Sequence, residues 1–453
     1  MLKTLHLENF KSWATADLVF GKITGLFGPN SSGKSSLTQF LLLLKQTMEA
    51  TDRGIALDLN GQYVSLGTFK DIISSHDEGR SLSWRLSFER ETELVLRLFD
   101  PGDPDKLVRA KTLEVAGTAR EGGKPVRMIS TALEYAFGGM LFRLARKRGS
   151  ETSFDLVAVP AERFRFIRNR GRAWRLPGPL WSYAFPDQAR TYFQNASFLA
   201  DLETAYEEQM DGLYYLGPLR EYPSRDYLWS GARPATVGVK GEETIGAILA
   251  MTAEGEQRNV GYKARLRPFQ EIVAYWLSEL GVIHDFRVEE IASGSNRWQA
   301  RDITRKGGAE VLLTDVGFGV SQVLLVVTLL QYVPRGSTVI LEQPEIHLHP
   351  LAQANLADVI INAVTHRALQ IIVESHSEHL QLRLQRRVAE EKIGSGDVTL
   401  YFCDITDGGS ILERLQLDLF GKIENWPTNF MGDAFGEAAE AEKARLRRMA
   451  AAQ

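Results

Sequence analysis

Gly28-Pro29-Asn30-Ser31-Ser32-Gly33-Lys34-Ser35 is the stretch on which the reading of this chain turns. It matches the pattern G-x-x-x-x-G-K-[ST]. Its glycines let the backbone curl so that successive N–H groups face one point, which suits the phosphates of a nucleotide. The flanks agree: Ile23–Phe27 is an apolar strand, and residues 35–46 read as a helix with an apolar face. The N-terminus of that helix adds a partial positive charge. Asn30, Ser31, Gly33, Lys34, Ser35 and Ser36 are therefore the candidate phosphate-binding residues. Lys34 is expected to reach the β and γ phosphates of ATP, and the Ser35 hydroxyl to ligate Mg²⁺.

Outward from this loop, the 453 residues allow two or three domain-sized units. A formal net charge of −4 excludes a broadly basic nucleic-acid coat but leaves room for a local basic patch. The single cysteine, Cys403, forms no internal disulfide and fits a reducing compartment. The opening MLKTLHLENFKSW lacks the apolar core of a signal peptide, and the longest apolar stretch, near 323–330, is too short to cross a bilayer. A cytoplasmic protein with no membrane partner is expected. No repeat or heptad run appears, so long coiled-coil arms are not expected.

The opening reads strand, turn, strand: residues 2–7 alternate, and residues 16–20 and 23–27 flank Gly21-Lys22. Residues 81–100 alternate like antiparallel strands. From 101 to 235 the pattern is mixed, with helical character over 189–210 and a proline-rich turn region over 216–234. Residues 269–280 read as an amphipathic helix. Past Val311 the pattern is α/β: a helix over 321–332, an apolar strand over 338–341, a helix over 351–365 and an apolar strand over 370–373. The fold class is therefore α/β. One nucleotide-binding lobe is split between residues 1–100 and 236–405, with a long α+β or helical insertion over 101–235 and a small tail over 406–453.

Thr338-Val339-Ile340-Leu341-Glu342 is an apolar strand that ends in a carboxylate. An acid at a strand's carboxyl end beside a phosphate loop suits Mg²⁺ binding, so Glu342 joins Ser35 as a candidate metal ligand. The order of the phosphate loop, then Gly317-Phe318-Gly319-Val320-Ser321-Gln322, then Glu342-Gln343-Pro344-Glu345, then Glu374-Ser375-His376-Ser377, resembles the RecF/SMC/OLD branch of ABC-type ATPases. Asn9-Phe10-Lys11-Ser12 is similar to that branch as well. The resemblance covers about half of the chain, mainly 1–75 and 310–405. It implies an ABC-type P-loop ATPase head, a mixed sheet with flanking helices. It also implies a signature segment, with Gly317, Gly319, Ser321 and Gln322 as candidate contacts to the γ-phosphate of a second subunit. Two composite sites would then close in a head-to-tail homodimer or a higher homo-oligomer. Gly317 stands where many relatives carry serine, and the nearest hydroxyl is Ser321. His376 stands at the switch-histidine position. His347 and His349 alternate like metal ligands, but the resemblance reads them as a dimer-contacting loop.

In most relatives a glutamate follows the acid of that strand and polarises the attacking water; here Gln343 follows Glu342. A carboxamide orients water but does not accept a proton at neutral pH. Losing a positioned base costs ~10²–10⁴-fold in rate. Three readings stay open: slow hydrolysis, with ATP holding a long-lived switch; Glu345 as the base; or Gln343 orienting water as in small GTPases. The candidate catalytic residues are Glu342, Gln343, Glu345 and His376.

Residues 425–433, with Leu216-Gly217-Pro218-Leu219-Arg220-Glu221 and the segment 60–71, resemble the ATPase subunit of Septu-type and retron-associated phage-defence systems. That resemblance implies a separate effector, a nuclease or toxin, since too few residues follow position 403 for the Toprim domain of OLD nucleases. Residues 141–175 are rich in cations (Arg143, Arg146, Lys147, Arg148, Arg163, Arg165, Arg168, Arg170, Arg172 and Arg175), with Phe164, Phe166 and Trp174 interleaved. Such a stretch grips phosphates and stacks bases in DNA- or RNA-binding surfaces, or else is a solvated face. A RecF-like DNA-repair ATPase is the alternative function.

Overall fold

A computed structural model describes residues 1–99, 106–122, 127–147, 149–150, 152–171, 175–261, 263–427, 440–445 and 448. The chain opens with β1 (Leu2–Phe10), β2 (Trp13–Val19) and β3 (Ile23–Phe27), then α1 (Lys34–Glu49) and the short α2 (Phe69–Ile72). A run of strands follows: β4 (Leu82–Arg97), β5 (Leu107–Gly122), β6 (Arg127–Phe137), β7 (Met140–Arg146) and β8 (Phe154–Val159). Next come α3 (Asp187–Tyr192), α4 (Leu199–Asp211), β9 (Leu213–Leu216), β10 (Tyr227–Leu228), α5 (Thr244–Ala253), β11 (Gln257–Arg258), β12 (Arg267–Pro268) and α6 (Phe269–Glu279). The last part holds β13 (Asp285–Glu290), β14 (Arg297–Ile303), β15 (Glu310–Leu312), α7 (Phe318–Tyr332), β16 (Thr338–Glu342), α8 (Pro350–Arg367), β17 (Gln370–Glu374), α9 (Glu378–Ala389), β18 (Val398–Thr406) and β19 (Gly409–Leu415).

Among the described residues the strands form two large sheets. The seven-stranded sheet, ordered β2-β1-β4-β5-β6-β7-β8, is antiparallel throughout. The six-stranded sheet, ordered β19-β18-β3-β17-β16-β9, is parallel except for the β18–β19 hairpin. Strands β3, β16 and β17 are buried at every position, as parallel strands covered on both faces must be. Their side chains alternate between two cores. Leu26, Ile340 and Ile372 join the core shared with the seven-stranded sheet and α1, while Phe27, Val339, Leu341, Ile371 and Val373 join the core of α5 to α8.

The turn at Gly21-Lys22 carries the chain between sheets: β2 pairs with β1 in one sheet while β3 lies in the other. The helical stretches expected over 189–210 are present as α3 and α4. Several expectations need correction. Residues 81–100 hold one long strand, β4, with a bulge between Glu89 and Leu94 rather than several strands. The signature helix starts at Phe318, not Ser321. The boundary set at residue 100 falls between β4 and β5, which are hydrogen-bonded neighbours, and β9, inside 101–235, is a strand of the six-stranded sheet. The insertion is thus α+β and woven into both sheets.

Side chains join the two sheets where main-chain pairing ends. The buried Gln370 carboxamide accepts from Leu2 N (2.7 Å) and Thr338 Oγ1 (3.1 Å), and donates to Leu2 O (2.8 Å) and Gly21 O (2.9 Å). It thereby acts as a strand partner for the start of β1. Tyr401 does the same for Val19, accepting from its N–H at 2.7 Å. Gln370→Ala would leave Leu2 N and O of β1, Gly21 O and Thr338 Oγ1 without this partner, so we predict a loss of about 2–4 kcal/mol in denaturant unfolding. A loss below about 1 kcal/mol would show that the two sheets do not depend on this amide.

Candidate functional site

The phosphate loop runs from the carboxyl end of β3 into α1, and its shape depends on two glycines. Gly28 has φ +138°, and a Cβ there would lie 2.0 Å from Cys403 O on the neighbouring β18. At Gly33, with φ +92°, a Cβ would meet Ser410 Oγ at 2.6 Å and Ser12 Oγ at 2.8 Å. Trp13 Nε1 donates to Gly33 O (3.0 Å), so the loop is seated against the start of β2 and against β19. The Asn9-Phe10-Lys11-Ser12 segment thus supports the loop from outside it. Asn30 and Ser31 are exposed at the tip, Ser31 with φ +63°. Ser36 N donates to Gly33 O (3.0 Å) as α1 begins, and no acidic residue occupies the first turn of that helix. The Lys34 ammonium is buried and donates to Gly28 O (3.0 Å) and Pro29 O (2.7 Å); burial lowers its pKa.

Strand pairing sets the carboxylates. The β16–β17 register places Glu342 beside Glu374. Both are buried at the carboxyl edge of the sheet, next to the phosphate loop. Glu342 Oε1 accepts from Thr38 Oγ1 (2.9 Å), and Tyr215 on β9 also hydrogen-bonds this carboxylate. Burial, and then the charge of Glu374, push its pKa up to about 7. Ser35 Oγ does not meet Glu342, its expected partner at a metal; it donates to Glu374 Oε1 at 2.8 Å. The second Glu374 oxygen is buried without a partner, and burial raises this pKa as well. Sequence reasoning quoted Glu374 within a motif and gave it no role. The available signal was that Glu374 ends β17 as Glu342 ends β16, one strand over.

Gln343 has φ +45°, and its N–H donates to Glu374 O (2.8 Å). Glu345 is buried, with Oε1 accepting from Ser375 Oγ (2.7 Å) and His376 N (2.9 Å), so its carboxylate braces the turn after β17. The His376 ring hydrogen-bonds Gly28 O beside Lys34, and burial, then the Lys34 charge, lower its pKa. The structure therefore gathers Lys34, Ser35, Glu342, Gln343, Glu345 and His376 around one end of the sheet. His347 and His349 go separate ways: the His347 ring packs edge-on to Phe318 (4.8 Å), and His349 Nδ1 caps α8 by accepting from Leu351 N (3.4 Å).

Gly317 forms the N-cap of α7 and is exposed, with open space where a side chain would be. Gly319 packs against the loop after β16, where a Cβ would lie 2.5 Å from His347 O. Ser321 and Gln322 turn inward. Both are buried, and Ser321 Oγ donates to Phe318 O (2.8 Å). Their side chains do not present themselves as phosphate contacts, because α7 starts three residues earlier than expected. Gly317, at the N-cap, is the exposed residue of the segment.

The basic stretch is narrower than its composition implies. Phe164 is buried against Phe142 and Phe198 and is closed to bases, and the partly buried Phe166 packs on the same rings. Arg143 pairs with Glu134 (2.9 Å) and Lys147 with Asp155 (3.0 Å). Arg148, Arg172 and Trp174 lie outside the described residues, as do residues 428–433 of the terminal motif. Arg168, Arg170 and Arg175, with the Asp155-paired Lys147, help line a groove of about 600 Å³ whose own lining holds no carboxylate among the described residues. A β-bridge from Arg168 to Phe193 fixes its floor.

In the six-stranded sheet, β3 with the phosphate loop and β16 with Glu342 are separated by the one strand, β17, that ends at the His376 turn. That order, with a glycine-opened helix leading into β16, defines an ABC-type P-loop ATPase head, and the chain is an ATPase. It belongs to the family described as "AAA domain, putative AbiEii toxin, Type IV TA system", whose model matches residues 146–383, more than half of the chain. The matched span includes α7, Glu342 and His376 and begins beyond the phosphate loop. A second model, "Protein of unknown function (DUF3696)", matches residues 393–440. No curated protein matches the chain. Similar solved structures include an Smc head bound to the C-winged helix domain of ScpA (13% identity, TM-score 0.47, 92% of this chain and 98% of that one). The SMC head domain from Thermotoga maritima is 13% identical, with TM-score 0.39 over 92% and 99% of the two chains. An Smc head with an extended coiled coil, bound to the C-terminal domain of ScpA derived from Pyrococcus furiosus, is 11% identical, with TM-score 0.48 over 92% and 96%. Among the described residues no helix is long and apolar enough to cross a membrane.

Because the folded pKa of Glu342 lies above that of a free glutamate, its contribution to stability is present at low pH and is lost as pH rises through about 7. Glu342→Gln removes this titration. Without nucleotide, the variant should gain a few degrees in Tm over wild type between pH 5 and pH 8. A difference that stays constant over that range would contradict the assignment.

Proposed function

We propose that this ATPase is a slowly turning clamp. ATP and Mg²⁺ close two copies of the chain head to tail, and the closed dimer scaffolds or restrains a separate effector, a nuclease or toxin, in cytoplasmic anti-phage defence. The observation that carries the slow-turnover reading is the pair Gln343 and Glu345. Gln343 occupies the base position and takes up no proton. Glu345, the next carboxylate, is committed to Ser375 and His376, and its second oxygen is sealed from solvent. The family's description as a putative AbiEii toxin supports a role in defence.

In this reading the main-chain N–H groups of residues 30–36 and the Lys34 ammonium bind the phosphates, with Asn30 and Ser31 at the rim and Gly33 allowing close approach. Ser35, Glu342 and Glu374 would hold Mg²⁺, and their oxygen donors, one of them orphaned at Glu374, fit a hard cation whose remaining ligands are phosphate and water. When bound, the ion neutralises charge on the phosphates. His376, kept neutral by its lowered pKa and so carrying one N–H, would move that donor from Gly28 O to the γ-phosphate, and Gln343 orients water without deprotonating it. The partner's γ-phosphate would meet the main-chain donors at Gly317 and Phe318. Single-turnover hydrolysis should be slow in wild type and at least ~10²-fold faster in Gln343→Glu. Wild-type turnover at rates usual for ATPases (about 1 s⁻¹ or more), unchanged by that substitution, would exclude the slow clamp.

A second reading, a RecF-like ATPase acting on DNA or RNA, is favoured by the groove at Lys147, Arg168, Arg170 and Arg175. If it holds, replacing Arg168, Arg170 and Arg175 by Glu should abolish binding of a short oligonucleotide. Single replacements should each reduce the slope of log K against log salt by about 0.7–0.9. Binding that survives the triple replacement removes this reading.

A further inference from the structure

Arg220 lies in the Leu216-Gly217-Pro218-Leu219-Arg220-Glu221 segment after β9, and it is buried where a charge needs compensation. Among the described residues no carboxylate closes an ion pair with it; its guanidinium donates to main-chain carbonyls of three separate segments. Nε reaches Gly217 O (3.4 Å) and Nη1 reaches Gln322 O in α7 (3.3 Å). Nη2 reaches Glu342 O (3.2 Å) and Gln343 O (3.1 Å) at the end of β16. Burial lowers its pKa to about 10, with the charge of Glu345 opposing the shift, so it is a cation at neutral pH. The planar fork of a guanidinium reaches several acceptors at fixed angles, which an ammonium does not.

The peptide groups of Gln343 are thereby held from two sides, N–H on Glu374 O and C=O on Arg220, in a left-handed conformation that a non-glycine residue adopts only when its surroundings enforce it. The same guanidinium grips the second turn of α7, the helix whose exposed start is Gly317. We infer that Arg220 is a positioning residue for hydrolysis: it ties the main chain of Gln343 to α7, so that the water-facing carboxamide of one nucleotide site and the helix end offered to the other are fixed as one body. The inference rests on the reading of Gln343 and of α7 given above. It extends that reading by joining the two through a buried residue that lies outside the phosphate loop. Loss of the guanidinium would free both segments together and leave the phosphate loop, which Arg220 does not contact, as it was.

The test compares the full chain with Arg220→Met and Arg220→Lys by amide hydrogen exchange, ATP affinity and single-turnover hydrolysis. In Arg220→Met, exchange should accelerate at least ~10-fold at residues 318–326 and 343–348 together and stay unchanged at residues 28–38. ATP affinity should stay within about 3-fold while the hydrolysis rate falls at least ~10-fold, and Arg220→Lys should recover part of both losses. Faster exchange in only one of the two segments, or in neither, overturns the inference; so does ATP affinity that falls in step with rate. If Arg220→Met does not fold, Arg220→Lys and Arg220→Gln serve for the same comparison. A wild-type chain that hydrolyses ATP quickly would defeat the slow clamp, and the exchange comparison would still judge Arg220.

Discussion

Parallel pairing of β3, β17 and β16 is the constraint on which the rest of the site depends. Because these strands are covered on both faces, every side chain within them is apolar or paired, and chemistry is left to their carboxyl ends. There the register brings Glu342 beside Glu374, and β3 delivers the phosphate loop next to both. The contacts described above follow from that alignment. Ser35 finds Glu374 because α1 starts over the end of β17; Glu345 braces His376 because their two loops leave adjacent strands; Gly28 must lack a side chain because β18 runs directly alongside. A slip of one residue in the β16–β17 register would turn the carboxylates to opposite faces.

In the proposed reading this arrangement holds ATP rather than cleaving it quickly. Two buried carboxylates and a serine hydroxyl make a ready place for a cation, and a curled loop with a buried lysine makes one for phosphates. The position from which a base would act carries a carboxamide, and the nearest further acid is engaged in holding the switch turn. In the proposed clamp the energy of nucleotide binding would go into assembling the composite surface, and its release would wait on a slow chemical step. Main-chain constraint of Gln343 from both sides agrees with this: its position is well defined even though its chemistry is weak.

The parts of this account that were legible in the sequence are those written in local pattern. The phosphate loop has a fixed spacing with glycines at special backbone angles, and the apolar strands ending in Glu342 and Glu374 are short, continuous and bounded. Long-range pairing was not legible. The outward residues of β5, such as Lys111, Glu114 and Arg120, are polar while Leu113, Val115 and Ala119 turn inward, an alternation read only as a mixed pattern. The partner of Ser35, the inward turn of Ser321 and Gln322, and the packing of Phe164 and Phe166 depend on which elements meet in space. Arg220 was quoted within a motif, but a lone arginine in a proline-rich loop gives no hint that it is buried on the carbonyls of two distant segments.

The central claim is that ATP, once bound, stays intact between two closed chains. Light scattering with nucleotide analysis of the same eluted peak measures this directly, on protein incubated with ATP and Mg²⁺ and then freed of unbound nucleotide. The account predicts a dimer that carries ATP, and a monomer when ATP is omitted. A monomer under both conditions, or a dimer carrying ADP, would contradict it.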